Sequence, residues 1–165
     1  MVIRHVLTHG LIFAVIANAY LFLVMISTTP RVWGYTDYPK AIKNKVPAQT
    51  RGEKLKALLI GLPWLIFILG FPLFSTYSLK SKLGHEIPFW TAFLNVFVMI
   101  LLVTIGDMVI LDWIVVSKIT PRFVVIPGSE KADYKDFSQH FRAHAKAAVG
   151  LVLVALIMAA IVSHF

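Results

Sequence analysis

The chain has 165 residues, of which 58% are apolar and only 15% are charged. Soluble domains average about 45–50% apolar and about 25% charged residues, so this composition excludes a disordered chain and argues against a soluble enzyme. The chain contains no cysteine. That absence excludes disulfides, thiolate catalysis and cysteine-ligated zinc or iron–sulfur centres.

The formal net charge is +8, and the basic residues cluster between apolar segments. This pattern is typical of cytoplasmic loops that face anionic lipid headgroups. We therefore expect the lipid bilayer and its anionic headgroups to be the partners, and no nucleic acid, because a bundle embedded in a bilayer presents little free basic surface.

Four apolar segments are long enough, or nearly long enough, for a helix that crosses a bilayer, which needs about 20 residues. They cover residues 6–26, 57–74, 89–116 and 147–162. The connections between them are short, so consecutive helices are expected to run antiparallel. The sequence predicts a single transmembrane domain over residues 1–165, an all-α, integral membrane four-helix bundle with up-down topology.

The distribution of lysine and arginine predicts the orientation of this bundle. Thirteen of the sixteen basic residues lie in or beside the connections 28–55 and 117–140, and three lie on the other side. Loops rich in lysine and arginine stay in the cytoplasm. Both termini are therefore expected to face outward, in a protein of the plasma (inner) membrane.

The connections and the second span carry further signals. Aromatic residues among the basic residues of 28–55 suit a segment that lies on the headgroup layer. Residues 123–126 form an apolar run too short to span, which lies in the interface or packs back against the bundle. In the second span, Pro63 and Pro72 each remove a backbone hydrogen bond and bend the helix.

Two carboxylates lie inside an apolar segment, Asp107 and Asp112 of the third span. A charge at the centre of a bilayer costs about 2.5–3.5 kcal/mol on insertion scales, so each carboxylate needs a partner, a cavity or a task. Five residues of α-helix place the two side chains about 140° apart around the axis. The spacing therefore predicts that one helix does not direct both carboxylates to one point.

Four of the six histidines form two pairs with a spacing of four residues, which places both members of a pair on one helix face. His140 and His144 precede the fourth span, Asp136 lies one turn earlier, and Asp112 is expected at a similar depth. Two imidazoles with carboxylates suit Zn, Fe or Mn. The pattern predicts one divalent metal with ligands Asp112, Asp136, His140 and His144. The alternative is a polar interfacial turn whose histidines bind headgroups or loop carbonyls.

These patterns support three hypotheses of function. The first is a metal-binding or catalytic site at the cytoplasmic end of the bundle that acts on a lipid-like or small substrate. In it, Asp112 or Glu130 serves as a base and Arg122 holds an anionic headgroup. The second is a small-solute or proton-coupled transporter that uses Asp107, which implies a homo-oligomer because four short helices enclose little lumen. The third is a non-catalytic membrane subunit or assembly partner.

Overall fold

The computed structural model describes residues 1–164, and within that range it is helical with no strand. Four helices are long and apolar enough to cross a membrane. The predicted all-α four-helix bundle is thus confirmed. The helices are α1 (Val2–Ser27), α2 (Pro30–Trp33), α3 (Lys40–Lys43), α4 (Arg51–Lys82), α5 (Phe89–Gly106), which continues as a π segment (Asp107–Ile119), and α6 (Phe137–His164), preceded by a 3₁₀ turn (Lys131–Tyr134).

Helices α4 and α6 extend past the starts of the predicted apolar spans 57–74 and 147–162 by one to three turns. Helix α4 begins at Arg51, because Thr50 and Glu53 form a reciprocal capping box. Helix α6 begins at Phe137, because the side chain of Asp136 accepts hydrogen bonds from the backbone N–H groups of the first turn. Polar caps, rather than the limits of the apolar runs, therefore define where these helices start.

Helix α5 lies at the centre of the bundle and packs against α1, α4 and α6. Its contact with α1 is close at Gly106, where an added Cβ would lie 2.7 Å from Nδ2 of Asn18. That Nδ2 donates to the carbonyl of Val103 at 3.2 Å. A side chain at Gly106 would displace the amide of Asn18 from this position.

We call the end of the bundle that is predicted to face the cytoplasm the inner end, and the opposite end the outer end. At the outer end, buried Ser75 of α4 links three helices. Its carbonyl lies 3.0 Å from Nε2 of His5, its hydroxyl lies 3.0 Å from Nδ1 of His9, and the amide of Asn95 donates to neighbouring Thr76 at 2.9 Å. This histidine pair joins α1 to α4.

At the inner end, the two connections fold together into a layer that we call the cap (residues 28–50 and 120–136). Its centre is buried, and the hydroxyl of Tyr38 donates to the carbonyl of Val124 at 3.1 Å. Burial raises the pKa of Tyr38. The run 123–126 thus packs back against the bundle, and the first connection packs with it in this layer. The buried hydrophobic cluster of the cap contains Tyr38, Ile42, Val46, Val124, Ile126 and Tyr134.

Ion pairs and hydrogen bonds join the two connections of the cap to each other and to the helices. Arg31 makes a two-pronged contact with Glu53 of α4, with Nε to Oε1 at 2.6 Å and Nη2 to Oε2 at 2.9 Å. Lys45 lies 2.6 Å from Asp133, and this contact raises the pKa of Lys45. Lys135 donates to the carbonyl of Ser117 at 2.7 Å, at the end of the π segment, where helices favour a positive charge.

Candidate metal centre

A cavity of about 570 Å³ lies at the inner end, between α1, α4, the π segment, α6 and the cap. Leucine, valine and methionine side chains of α1 form one apolar wall. Two tryptophans, Trp33 and Trp64, line it from the cap and from α4. The aspartates and histidines that line the cavity are Asp37, Asp107, Asp112, His140 and His144.

The π segment brings the two intramembrane carboxylates to the same side of the helix. In a π-helix the backbone hydrogen bond runs from residue i to i+5, so residues five apart follow one another along one face. Asp107 begins the segment and Asp112 is five residues later. The prediction that the two carboxylates diverge by about 140° is therefore wrong, because it assumed α-helical geometry throughout.

The π segment is unusual for its length, since such helices mostly occur as single turns, often at functional sites. It ends at Thr120, which has a left-handed backbone with φ 49°. The N–H of Thr120 still donates to the carbonyl of Val115, five residues earlier, and Pro121 has no N–H with which to continue the helix.

A compact group on the cavity wall, which we call the metal group, consists of Asp107, Asp112 and His144. The Nε2 atom of His144 lies 2.9 Å from Oδ2 of Asp112 and 3.8 Å from Oδ2 of Asp107. Each residue offers one ligand atom, and these atoms lie within 4.8 Å of one another. Ligand atoms at about 2.0–2.2 Å from a metal lie at most about 4.4 Å apart, so small torsional shifts bring these three to one ion. The group could hold a metal ion.

His140 adds a second imidazole to this group. Its Nδ1 lies 3.2 Å from Oδ2 of Asp112, the same oxygen that faces His144. The spacing of four residues places both histidines on the face of α6 that meets the π segment, as the sequence predicts. All four side chains are between 14% and 29% exposed, so they reach the water of the cavity without lying on the open surface.

Three residues predicted for the site do not line this cavity. Asp136 caps α6, and its Oδ2 lies 3.6 Å from Nη2 of Arg142. Glu130 is exposed and begins the 3₁₀ turn, where its N–H donates to Asp133. Arg122 is exposed in the turn after the π segment. The structure thus does not bring them to His144, and it places Asp107 in the metal group where the sequence pattern suggested Asp136.

Asp37 is a site residue that the sequence analysis did not identify. It belongs to the cap and faces the cavity that holds Asp112. Asp37 keeps part of its surface exposed at the mouth of the cavity, and partial desolvation there raises its pKa, with a further contribution from the negative charge of Asp112. The amide of Gln139 in α6 donates to the carbonyl of Asp37 at 3.0 Å and fixes this part of the cap. The sequence carries no signal for this role, because Asp37 lies in an ordinary loop.

No family model matches the chain, and no curated protein or solved structure shows significant similarity to it. The fold and the site together define a polytopic helical protein with membrane-spanning helices and an Asp/His group that could hold a metal.

Proposed function

We propose that the protein binds one divalent metal ion through Asp107, Asp112 and His144 and uses it on a lipid-like or small substrate in the inner cavity. The observation that carries this proposal is the position of three ligand atoms within 4.8 Å of one another on the wall of a cavity of about 570 Å³. Nitrogen and carboxylate ligands suit Zn, Fe or Mn.

The arrangement has the features of a catalytic rather than a purely structural metal site. Catalytic zinc sites use three protein ligands and leave one position for water or substrate. A metal held in this way polarises a substrate oxygen or activates a water molecule. The cavity supplies space for a substrate beside the three ligands, and His140, which contacts Asp112, is placed to orient that ligand or to bind the ion as well.

The transporter alternative requires a conduit through the membrane. An apolar layer inside the bundle argues against such a conduit. The layer lies between the inner cavity and the histidine pair at the outer end, and it includes stacked Phe13 and Phe71 with ring centroids 5.1 Å apart. Met99 and Val103 of α5 complete it. This layer favours a site that is closed on its outer side.

Metal analysis of the purified protein tests the proposal. We expect the wild-type protein, loaded with Zn²⁺, Mn²⁺ or Fe²⁺ in detergent, to retain about one ion per chain after dialysis. Asp112→Asn and His144→Ala each remove a ligand and are expected to weaken the retained ion's affinity by about tenfold or more.

Two matched variants serve as controls. Asp136→Asn makes the same chemical change as Asp112→Asn outside the metal group, and asparagine caps a helix as well as aspartate does. His85→Asn removes an outer-end histidine with φ 71°, a conformation that asparagine tolerates. A wild-type protein that retains none of the three metals, or equal retention by all four variants, would refute the proposed metal site.

A further inference from the structure

Helices α4 and α6 separate from each other at the inner end of the bundle. None of residues 51–67 of α4 and none of residues 137–154 of α6 is buried. Contacts between the two helices lie further out, where Leu73 packs against the cluster that includes Ala155 and Lys80 donates to the carbonyl of Val162 at 2.9 Å. The pair therefore closes at the outer end and leaves a gap at the level of the cavity.

Helix α4 is held on the side away from this gap. The hydroxyl of Tyr20 in α1 donates to the carbonyl of Ile60 at 2.6 Å, and Glu53 is paired with Arg31 of the cap. Pro63 lies one turn beyond Tyr20's contact and removes a backbone hydrogen bond that would straighten the helix. These contacts attach α4 to α1 and to the cap, and they leave the side of α4 toward α6 open.

Small residues border the gap. Gly61 of α4 and Ala143 and Ala147 of α6 line the cavity, and yet all three are exposed. A Cβ added to Gly61 would meet no atom within 4 Å. Gly61 lies four residues into the apolar span 57–74, and Ala147 is the first residue of the span 147–162. The cavity thus continues into an apolar slot between α4 and α6 that faces the lipid.

We propose that this slot holds the hydrocarbon chain of an amphiphilic lipid from the surrounding leaflet, with its oxygen-bearing head at Asp107, Asp112 and His144. An amphiphile matches both parts of the space, because the slot is apolar and leads to a polar group of ionisable residues. A second helix would fill the slot without reaching the metal group. The position of the lipid's head rests on the proposed metal site, whereas the position of its hydrocarbon chain does not.

Photo-crosslinking in vesicles tests the slot. The Zn²⁺-loaded protein is placed in phosphatidylcholine vesicles with palmitic acid that carries a diazirine on its chain, and the labelled peptides are mapped by mass spectrometry. We expect labels on residues 58–66 and 143–151. Gly61→Phe and Ala147→Phe fill the slot and are expected to reduce this labelling by about fivefold or more.

Two matched phenylalanine variants control for added bulk. Gly70→Phe lies on the opposite face of α4, nine residues or about 180° from Gly61, where an added Cβ also meets no atom within 4 Å. Ala148→Phe lies beside Ala147 on the exposed surface of α6 and does not line the cavity. Both are expected to label like the wild type. Equal labelling of the slot variants and their controls would overturn the proposal.

The metal content of each variant separates the two proposals. Slot labelling without retained metal would refute the metal site but support the lipid's hydrocarbon chain in the slot. Retained metal without slot labelling would refute the binding of a lipid in the slot. Because the chain lacks cysteine, Ala147→Cys carries a single thiol. Efficient formation of a disulfide-linked dimer by Ala147→Cys would show that a second copy occupies the gap, and this too would overturn the lipid proposal.

Discussion

Asp37 illustrates how the position of one side chain depends on contacts distant in sequence. It lies in the first connection, but the packing of the cap brings it to the cavity that holds Asp112. Desolvation is the largest cause of its raised pKa, and the negative charge of Asp112 is the second. Folding therefore favours the protonated carboxyl, and the native protein binds this proton more tightly than the unfolded chain does.

The raised pKa of Asp37 predicts that Asp37→Asn increases the melting temperature of the metal-free protein in a pH-dependent way. The favourable contribution of protonated Asp37 is complete below the unfolded pKa of about 3.9 and is lost as the pH rises through the native pKa. Asparagine does not ionise, so the melting temperature of the variant is expected to match the wild type near pH 4 and to exceed it near pH 8. Thermal unfolding in detergent with a chelator measures this.

The control for this pH effect is Asp136→Asn, which changes a carboxylate outside the cavity. Hydrogen bonds from Ser138 and Gln139 lower the pKa of Asp136, so the melting temperature of this variant is expected to fall relative to the wild type as the pH rises, the opposite of Asp37→Asn. A difference in melting temperature between Asp37→Asn and the wild type that stays constant from pH 4 to pH 8 would show that the environment of Asp37 does not favour its protonated form.

At the scale of the element, the π segment determines which residues form the site. The α-helical part of the third span ends at Gly106, and the π segment starts at Asp107. With i to i+5 hydrogen bonds, Asp107 and Asp112 lie on one face, and both approach His144 of α6. A continuous α-helix would separate the two carboxylates and leave Asp107 outside the group.

The shared face predicts that Asp107 and Asp112 act as a coupled pair in metal binding. The Zn²⁺ affinities of Asp107→Asn, Asp112→Asn and the double variant form a double-mutant cycle. Residues that share one ion are expected to show a coupling energy of about 0.5–3 kcal/mol. The pair Asp107 and Asp136 is the control, and its effects are expected to add. Additive effects for Asp107 and Asp112 as well would mean that the two carboxylates do not share one ion.

At the scale of the whole molecule, two polar regions lie at opposite ends of an apolar bundle. The outer region joins α1 to α4 through Ser75 and the pair of His5 and His9. The inner region contains the cavity and is covered by the cap. The basic residues concentrate around the inner region, which the positive-inside rule assigns to the cytoplasm.

The predicted orientation is tested with single cysteines, which the cysteine-free chain makes unambiguous. Ser81→Cys lies at the outer end and Ala132→Cys lies in the cap, and both positions are exposed. In intact cells a membrane-impermeant maleimide is expected to label Ser81→Cys, and to label Ala132→Cys only after permeabilisation. The reverse pattern would place both termini in the cytoplasm.

Much of the bundle could be predicted from local sequence features, and part of the site could as well. The four spans follow from runs of apolar residues, whose length is compared directly with the thickness of a bilayer. The contact of His140 and His144 with Asp112 follows from helical spacing and from the similar depth of the two helices. The roles predicted for Glu130 and Arg122 assumed that their loop covers the site, whereas both side chains are exposed elsewhere.

The amino-acid order alone thus predicts four helices long and apolar enough to cross a membrane, with ionisable side chains near the inner end, because hydropathy and helical spacing are local properties of a segment. The inclusion of Asp107 in the metal group, the position of Asp37 and the gap between α4 and α6 depend on the folded molecule. The position of Asp37 and the gap require contacts between residues far apart in the chain, and the inclusion of Asp107 requires a change of helical hydrogen bonding. The hydropathy and spacing of a single segment do not reveal these contacts or this change.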